Sequence, residues 1–223
     1  MRLSDFEMGI DIHFKENQII VLVIENQELY TSFLQNLSEK NLTEEEKILL
    51  SENNKKLSVN KFVSVVHSPF FLELNNKRVI FFLYKELQQI AEECFYMEKE
   101  AINTAMISYL DNLVLKVPYP VKFNLELDMI SLLKQYEVQL DIEHLSIFEK
   151  LLTYIQLEKM LCGTKIIVFV NIKAYLNEKQ LKELYQTAFY NKIYLLLLET
   201  TQKEMILSEK YIIIDKDKCV IEP

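Results

Sequence analysis

Short, unbroken runs of apolar residues alternate with amphipathic stretches along much of this chain. The apolar runs are QIIVLVIE at 18–25, KILL at 47–50, FVSVV at 62–66, TKIIVFV at 164–170, IYLLLL at 193–198 and YIII at 211–214. Runs of this length, rich in Ile and Val, predict strands that are buried on both faces, as in a parallel sheet. Helical spacing at 26–37 and 178–190 predicts helices that cover such a sheet. The pattern therefore predicts an α/β fold with a mostly parallel sheet.

The middle of the chain has a helical pattern. No Pro or Gly occurs from 75 to about 116, and one apolar stripe predicts a long helix with a break near Glu98. The stripe consists of Val79, Leu83, Leu87, Ile90 and Cys94. Further helices are predicted at 125–136 and, after a Ser146–Glu149 capping box, at 147–161. We therefore expect an α/β head formed by 1–74 and 162–223, and an α-helical leg at 75–161 inserted between its halves.

Glycine is scarce, and this excludes the common nucleotide-binding loops. The chain has only two glycines, Gly9 and Gly163, whereas at the usual ~7% a chain of this length would have about 16. Neither a G-x-G-x-x-G turn nor a G-x-x-x-x-G-K-[ST] loop can be written with them. Such loops need glycine because backbone N–H groups must approach phosphates closely. We expect no bound nucleotide.

The remaining reactive residues form no catalytic pattern. Three cysteines and three histidines are scattered, without metal-ligand spacing, and Ser68 lies in no G-x-S-x-G motif. The chain starts without a signal-peptide pattern and contains no apolar run of ~18 residues. The acidic run at 44–46 is typical of a solvated turn or of the first turn of a helix. The residues thus predict a cytoplasmic protein without membrane contact and without enzymatic activity.

Charge is segregated along the sequence. The net charge is −8, yet 53–85 has 6 basic residues against 1 acidic residue, and 149–192 has 7 against 4. Two basic blocks in an acidic chain can attract an anion to one place, although solvated faces of unequal sign remain an alternative. Only Arg2 and Arg78 are arginines. Since lysine acts on phosphate as a point charge, whereas guanine is read mainly by arginine, any nucleic acid would be bound through its backbone.

Several segments of the C-terminal half resemble a known family. They are KQYEVQ at 134–139, SIFEK at 146–150, KIIVFVNIKAYLNEK at 165–179, YLLLLE at 194–199 and YIIID at 211–215. In this order they resemble the short-form Csn family, the DNA-end-binding ring proteins of type II-A CRISPR adaptation. Toward the N-terminus the resemblance thins to a strand at 19–25 and a basic turn at 55–61 between two strands.

The resemblance implies a fold and a function. Its members have a head similar in topology to P-loop ATPases but without a phosphate loop, and a helical leg. They form homotetrameric rings from two dimers, thread double-stranded DNA ends and act with the CRISPR integrase complex and the RNA-guided effector nuclease in spacer acquisition. We expect the DNA contacts at the lysines of the basic blocks and at one arginine. These are Lys55, Lys56, Lys61, Lys77, Arg78 and Lys173.

The chain departs from the family in one region. The family's acidic run, which binds calcium between subunits, corresponds here to VLKVPYPVKFNLELD at 114–128, where only Glu126 and Asp128 are carboxylates. They are the candidate metal ligands, with a helix N-terminus as the structural alternative, and we expect calcium to be optional. Two other functions compete with DNA binding: a degenerate nucleotide hydrolase of the same topology, and a protein scaffold whose lysines are only solvated.

Overall fold

The structure, a computed structural model, describes residues 1–38 and 47–222, so the acidic run at 44–46 lies outside the described residues. The strands are β1 (Arg2–Asp5), β2 (Ile10–His13), β3 (Ile19–Ile24), β4 (Ile48–Glu52), β5 (Lys55–Leu57), β6 (Val63–Val66), β7 (Ile166–Val170), β8 (Tyr194–Glu199), β9 (Glu209–Ile214) and β10 (Val220–Ile221). The helices are α1 (Gln27–Ser38), α2 (Val59–Phe62), α3 (Lys77–Cys94), α4 (Tyr96–Val114), α5 (Met129–Gln135), α6 (Ile147–Met160) and α7 (Glu178–Tyr190).

The chain divides into two compact units. The first consists of Met1–Leu74 together with Ile142–Pro223, and the second of Asn75–Asp141. Helix α6, which we expected in the inserted leg at 75–161, therefore belongs to the first unit. Its apolar stripe explains this placement, because Leu151 and Ile155 are completely buried and the helix packs against α7.

The larger sheet of the first unit confirms the predicted mostly parallel arrangement. Its strand order is β10-β9-β3-β8-β7-β6, and only β10 runs antiparallel to its neighbour. All residues of β3 and β7 are buried, as their unbroken apolar runs require. The two faces are covered by different elements. Ile20, Leu22 and Ile24 face α1 and the smaller sheet, whereas Ser64 and Glu209 on the other face bond to Tyr154 of α6 and Tyr185 of α7.

A second, antiparallel sheet was not predicted. Its order is β2-β1-β4-β5, and its inward residues, such as Leu3, Ile12 and Leu50, are completely buried in the shared core. The run KILL therefore belongs to this sheet and not to the parallel one. Asn53 and Asn54, at φ 50° and 60°, form the tight turn between β4 and β5. Asparagine tolerates such left-handed angles, so the pair favours a hairpin, and its second strand takes up residues 55–57 of the segment 55–61 that we expected to be a basic turn.

The second unit consists of helices with exposed apolar side chains. Asn76 begins α3 by accepting hydrogen bonds from the backbone N–H groups of Arg78 and Val79. The predicted break occurs at Phe95, three residues before Glu98, and α4 follows at once. Helix α4 buries none of its residues, and Met97 and Tyr109 are 76% and 62% exposed. Across both units, none of the described helices is long and apolar enough to cross a membrane.

Candidate nucleic-acid interface

The β4–β5 hairpin presents two of the predicted lysines on opposite faces. Lys55 lies directly across from Glu52, and Lys56 across from Ser51. Both lysines are exposed, and β5 is an edge strand of its sheet. Because successive side chains of a strand alternate between faces, Lys55 shares the Glu52 face and Lys56 points to the other side. The hairpin can therefore present charge to two directions along its edge.

A third predicted lysine and an unpredicted one lie around Phe62. The ammonium groups of Lys61 and Lys165 are 5.2 and 5.3 Å from the centroid of the Phe62 ring, a distance that allows cation–π attraction. Lys165 also bonds to the carboxylate of Glu52, and both of these side chains are about one-third exposed, at 30% and 34%. Glu52 thus connects Lys165 to the hairpin that carries Lys55.

We call the four lysines Lys55, Lys56, Lys61 and Lys165 the basic edge. Lys61 and Lys165 lie just before β6 and β7, whose amino ends meet at one side of the parallel sheet. Sequence reasoning missed Lys165 because this residue falls within the apolar run of β7. One signal could have identified Lys165: this lysine stands directly before a predicted parallel strand, and Lys61 stands close before another, β6.

Lys173 is not available to DNA, and the prediction for this residue is wrong. Its side chain is 3% exposed and its ammonium group lies 2.9 Å from both oxygens of Glu209, which is itself completely buried. The same group donates to the Tyr211 hydroxyl and to the backbone carbonyl of Glu204. The ammonium group of Lys173 therefore holds the loop after β7 against β9, and these partners leave it unable to contact a phosphate.

The same region contains a buried carboxyl group with an altered pKa. Glu199 ends β8, is 1% exposed and accepts the backbone N–H of Lys173 at 3.1 Å. Burial raises the pKa of Glu199 to about 7, against an ordinary value of 4.5, because desolvation penalises the charged form. Near neutral pH this carboxyl group is therefore partly protonated. Lys173, whose backbone N–H it accepts, is buried, unlike the exposed Lys55 and Lys56 of the basic edge.

The remaining predicted contacts, Lys77 and Arg78, belong to the second unit. They form the first turn of α3, directly after its cap Asn76. Lys77 is exposed and Arg78 is half-buried. Cations at a helix N-terminus oppose the helix dipole, so they are not explained as helix-stabilising charges.

The candidate metal ligands do not fit a calcium site within the chain. Asp128 caps α5, and its two carboxylate oxygens accept the Ile130 N–H at 3.1 Å and the Ser131 hydroxyl at 2.5 Å. These hydrogen bonds lower the pKa of Asp128, the serine bond having the larger effect. Glu126 is exposed, and the part of the chain that the structure describes contains no group of three acidic, His or Cys side chains able to hold a metal. Calcium is coordinated by six to eight oxygens, which these residues do not supply. The role of Asp128 as the N-cap of α5 accounts for its carboxylate.

The connection between β3 and α1, which joins a strand to a helix as a phosphate loop does, is short and acidic. Strand β3 ends at Ile24 and α1 begins at Gln27, with Glu25 and Asn26 between them. Asn26 caps the helix by accepting a hydrogen bond from the Leu29 N–H at 3.1 Å. Glu28 lies in the first turn. A phosphate loop is eight residues long and glycine-rich, whereas this connection is short and presents carboxylates that would repel phosphate.

One family model matches most of the chain. It is described as CRISPR-associated protein (Cas_Csn2), and it matches residues 41–218. The chain belongs to the Cas_Csn2 family. The resemblance seen in the sequence is thereby confirmed, and membership implies a CRISPR-associated role.

Other comparisons are weaker than the Cas_Csn2 match. No curated protein matches the chain. Among solved structures, a nucleotide-free ATP-binding cassette from an ABC transporter is similar at 11% identity and a TM-score of 0.47, covering 96% of this chain and 82% of that one. An ATP-binding cassette of an ABC transporter in its ADP conformation is similar at 12% identity and a TM-score of 0.49, covering 99% and 88%. Similarity this low carries no argument about function.

Proposed function

We propose that this Cas_Csn2 protein binds the ends of double-stranded DNA through the phosphate backbone, without enzymatic activity, in spacer acquisition. Lys165 comes from a distant part of the sequence, yet it lies with Lys55 and Lys61 around Glu52 and Phe62, and this observation carries the proposal. Point charges grouped in this way attract phosphates strongly and independently of base sequence.

The connection between β3 and α1 disfavours the competing function, a nucleotide hydrolase. Between β3 and α1 the chain has two residues and no glycine, and Glu25 and Glu28 place negative charge where a nucleotide would need backbone donors. A measurement of ATP hydrolysis is expected to give a rate no higher than that of buffer. ATP turnover that purifies with the protein would refute this part of the proposal.

The assembly and its partners follow from the family resemblance. We propose a homotetrameric ring, a dimer of dimers, that acts with the CRISPR integrase complex and the RNA-guided effector nuclease. The exposed apolar side chains of the second unit, among them Met97, Met106 and Tyr109, provide contact area of the kind that stable interfaces bury. Light scattering is expected to give four times the chain mass, and a monomer would remove the ring.

Single substitutions test the basic edge. Each of Lys55→Gln, Lys61→Gln and Lys165→Gln is expected to weaken binding to every duplex sequence alike, and to reduce the slope of log K against log salt by about 0.9 for each phosphate that is no longer neutralised. Lys216→Gln is the matched control, because this exposed lysine follows β9 at the opposite end of the parallel strands. If the slope of log K against log salt were the same for all four variants, the basic edge would not bind DNA, and the alternative of a protein scaffold with solvated lysines would remain.

Substitution of Glu52 tests the same site with the opposite sign. Glu52 bonds to Lys165 and lies across from Lys55, so it competes with phosphate for both cations. Glu52→Gln is expected to raise duplex affinity and to steepen its salt dependence, since Lys165 is released from its ion pair and Lys55 loses a carboxylate across the hairpin. Unchanged or weaker binding by this variant would contradict the assignment of the basic edge.

A comparison of DNA topologies tests end binding. A duplex with free ends can thread a closed ring, whereas a covalently closed circle cannot enter unless subunit contacts break. Linear duplex is therefore expected to compete well for the protein, a closed circle of the same sequence poorly, and the circle after one cut as well as the linear duplex. Equal competition by circle and linear duplex would exclude threading and leave binding to an outer surface.

A further inference from the structure

A small pocket lies beside the basic edge, at the amino ends of β8 and β3. Its volume is about 240 Å³, and it is formed by the turn before β3, the turn before β8 and the end of α7. Strand β8 pairs with β7, and the backbone N–H of Tyr194 donates to the carbonyl of Lys165 at 2.9 Å. Since neighbouring strands are ~4.8 Å apart, the pocket lies within two strand spacings, about 10 Å, of Lys165.

Two lysines at the pocket, Lys15 and Lys192, supply positive charge. Both are exposed, and among the described residues neither has an ion-pair partner. One carboxylate, that of Glu16, also lines the pocket, so the lining has a net charge of +1. Lys192 follows α7 in a left-handed conformation, with φ 52°, where glycine is the usual residue. Lys192 thus places a positive charge at a position where the backbone conformation would favour glycine.

The wall of the pocket combines a buried acceptor with aromatic rings. The amide oxygen of Gln18 is buried, and no described residue donates a hydrogen bond to it. A buried acceptor without a donor costs free energy, and a ligand N–H group would recover this cost once the Gln18 side chain rotates so that its oxygen faces the pocket. Phe189 and Tyr194 also line the pocket, and the Tyr194 ring packs against Phe14 with centroids 5.5 Å apart. Aromatic side chains of this kind stack with nucleobases of any sequence.

These features together point to a nucleotide. Lysines bind its phosphate and aromatic side chains stack with its base, and the Gln18 oxygen, after its side chain rotates toward the pocket, accepts from an amino or imino N–H of the base. A volume of 240 Å³ is below the roughly 300–1,000 Å³ of pockets that hold drug-sized ligands. The pocket therefore accepts one base, with the phosphate at its lysine-bearing rim, and excludes a dinucleotide.

We propose that the pocket lined by Lys15, Gln18, Lys192 and Tyr194 binds a single nucleotide unit, namely an unpaired terminal nucleotide of a DNA strand held at the basic edge. The assignment to a DNA terminus rests on the proposed function, because it needs a duplex end nearby. A free nucleoside monophosphate has the same chemistry, and an experiment with two arms separates the two sources.

The first arm of the experiment uses a free nucleotide. Titration with dAMP, followed by calorimetry or by NMR shifts, is expected to show one saturable site. Lys192→Gly is expected to weaken binding about tenfold, as for one lost charge-assisted hydrogen bond, while its backbone preference preserves the turn. Lys15→Gln is expected to act similarly, and Lys216→Gln to have no effect. Absence of saturable binding, or equal binding by all variants, would overturn the pocket whether or not the protein binds duplex DNA.

The second arm uses duplex ends. A duplex with a one-nucleotide overhang is expected to bind more tightly than the same duplex with a blunt end, and Lys192→Gly is expected to remove this difference. Gln18→Leu is expected to reduce the preference for dAMP over deoxyribose 5-phosphate. Binding of dAMP without any gain from the overhang would overturn the assignment to DNA ends. Binding of dAMP by a protein that binds no duplex would refute the proposed function and support the pocket alone.

Discussion

Replacement of Lys173 by methionine is expected to destabilise the fold and to leave the DNA affinity of the folded protein unchanged. Methionine retains an unbranched apolar stem but removes the charge. In the native protein the ammonium group lies 2.9 Å from both oxygens of Glu209, and it donates at 2.7 Å to the Tyr211 hydroxyl and to the Glu204 carbonyl. All of these partners would lose a charged donor in the interior.

The size of the effect follows from what remains around Glu209. Removal of one partner of a buried ion pair costs about 3–5 kcal/mol, because the other charge stays buried without compensation. Glu209 would still accept from the Tyr185 hydroxyl at 2.5 Å and from the Ile206 N–H at 2.7 Å. These two donors favour the lower end of the range, about 3 kcal/mol, which is a large share of a typical unfolding free energy of 5–15 kcal/mol.

Urea unfolding at pH 7, followed by far-UV circular dichroism, measures this cost. The midpoint of Lys173→Met is expected to fall while the slope is unchanged. Adding Glu209→Gln is expected to recover part of the loss, since no unpaired carboxylate then remains. Lys55→Met is the matched control, because an exposed lysine should change stability by less than ~0.5 kcal/mol but weaken DNA binding. If Lys173→Met unfolded like the unmodified protein and bound DNA like Lys55→Met, the buried ion-pair account would be refuted.

Three further predictions concern pH, capping and calcium. The pKa of Glu199 is raised to about 7, so the contribution of this group to stability is present below its ordinary pKa of 4.5 and is lost as the pH rises through 7. The free energy of unfolding of Glu199→Gln is therefore expected to exceed that of the unmodified protein by about 3 kcal/mol at pH 8 and by little at pH 5. Urea unfolding at both pH values measures this difference. Ser146→Ala, which removes the capping box of α6, is expected to cost about 1 kcal/mol in thermal unfolding, and an unchanged Tm would contradict that role. A calcium chelator is expected to leave the mass in light scattering unchanged, because the Asp128 oxygens accept protein hydrogen bonds; dissociation would show that other carboxylates bind the ion.

The sequence by itself determined the parallel sheet, the cap of α6 and the lack of a phosphate loop. Strands such as β3 and β7 are recognisable because burial on both faces requires unbroken apolar runs. The Ser146–Glu149 box forms as predicted, since a cap depends on residues three apart. The shortage of glycine excludes a phosphate loop without any knowledge of the fold, because it concerns the backbone of one segment.

Only the tertiary structure decided which lysines are exposed and which are buried. Lys165 and Lys173 belong to the same basic block, and neither charge nor spacing distinguishes them in the sequence. Lys165 bonds to Glu52, 113 residues away, at the basic edge, whereas Lys173 bonds to Glu209, 36 residues away, in the interior. The pairing of β4 with β1, which creates the second sheet, is likewise long-range. Local patterns report the burial of a segment, but the partner of a charged side chain is set by which distant strands pack together.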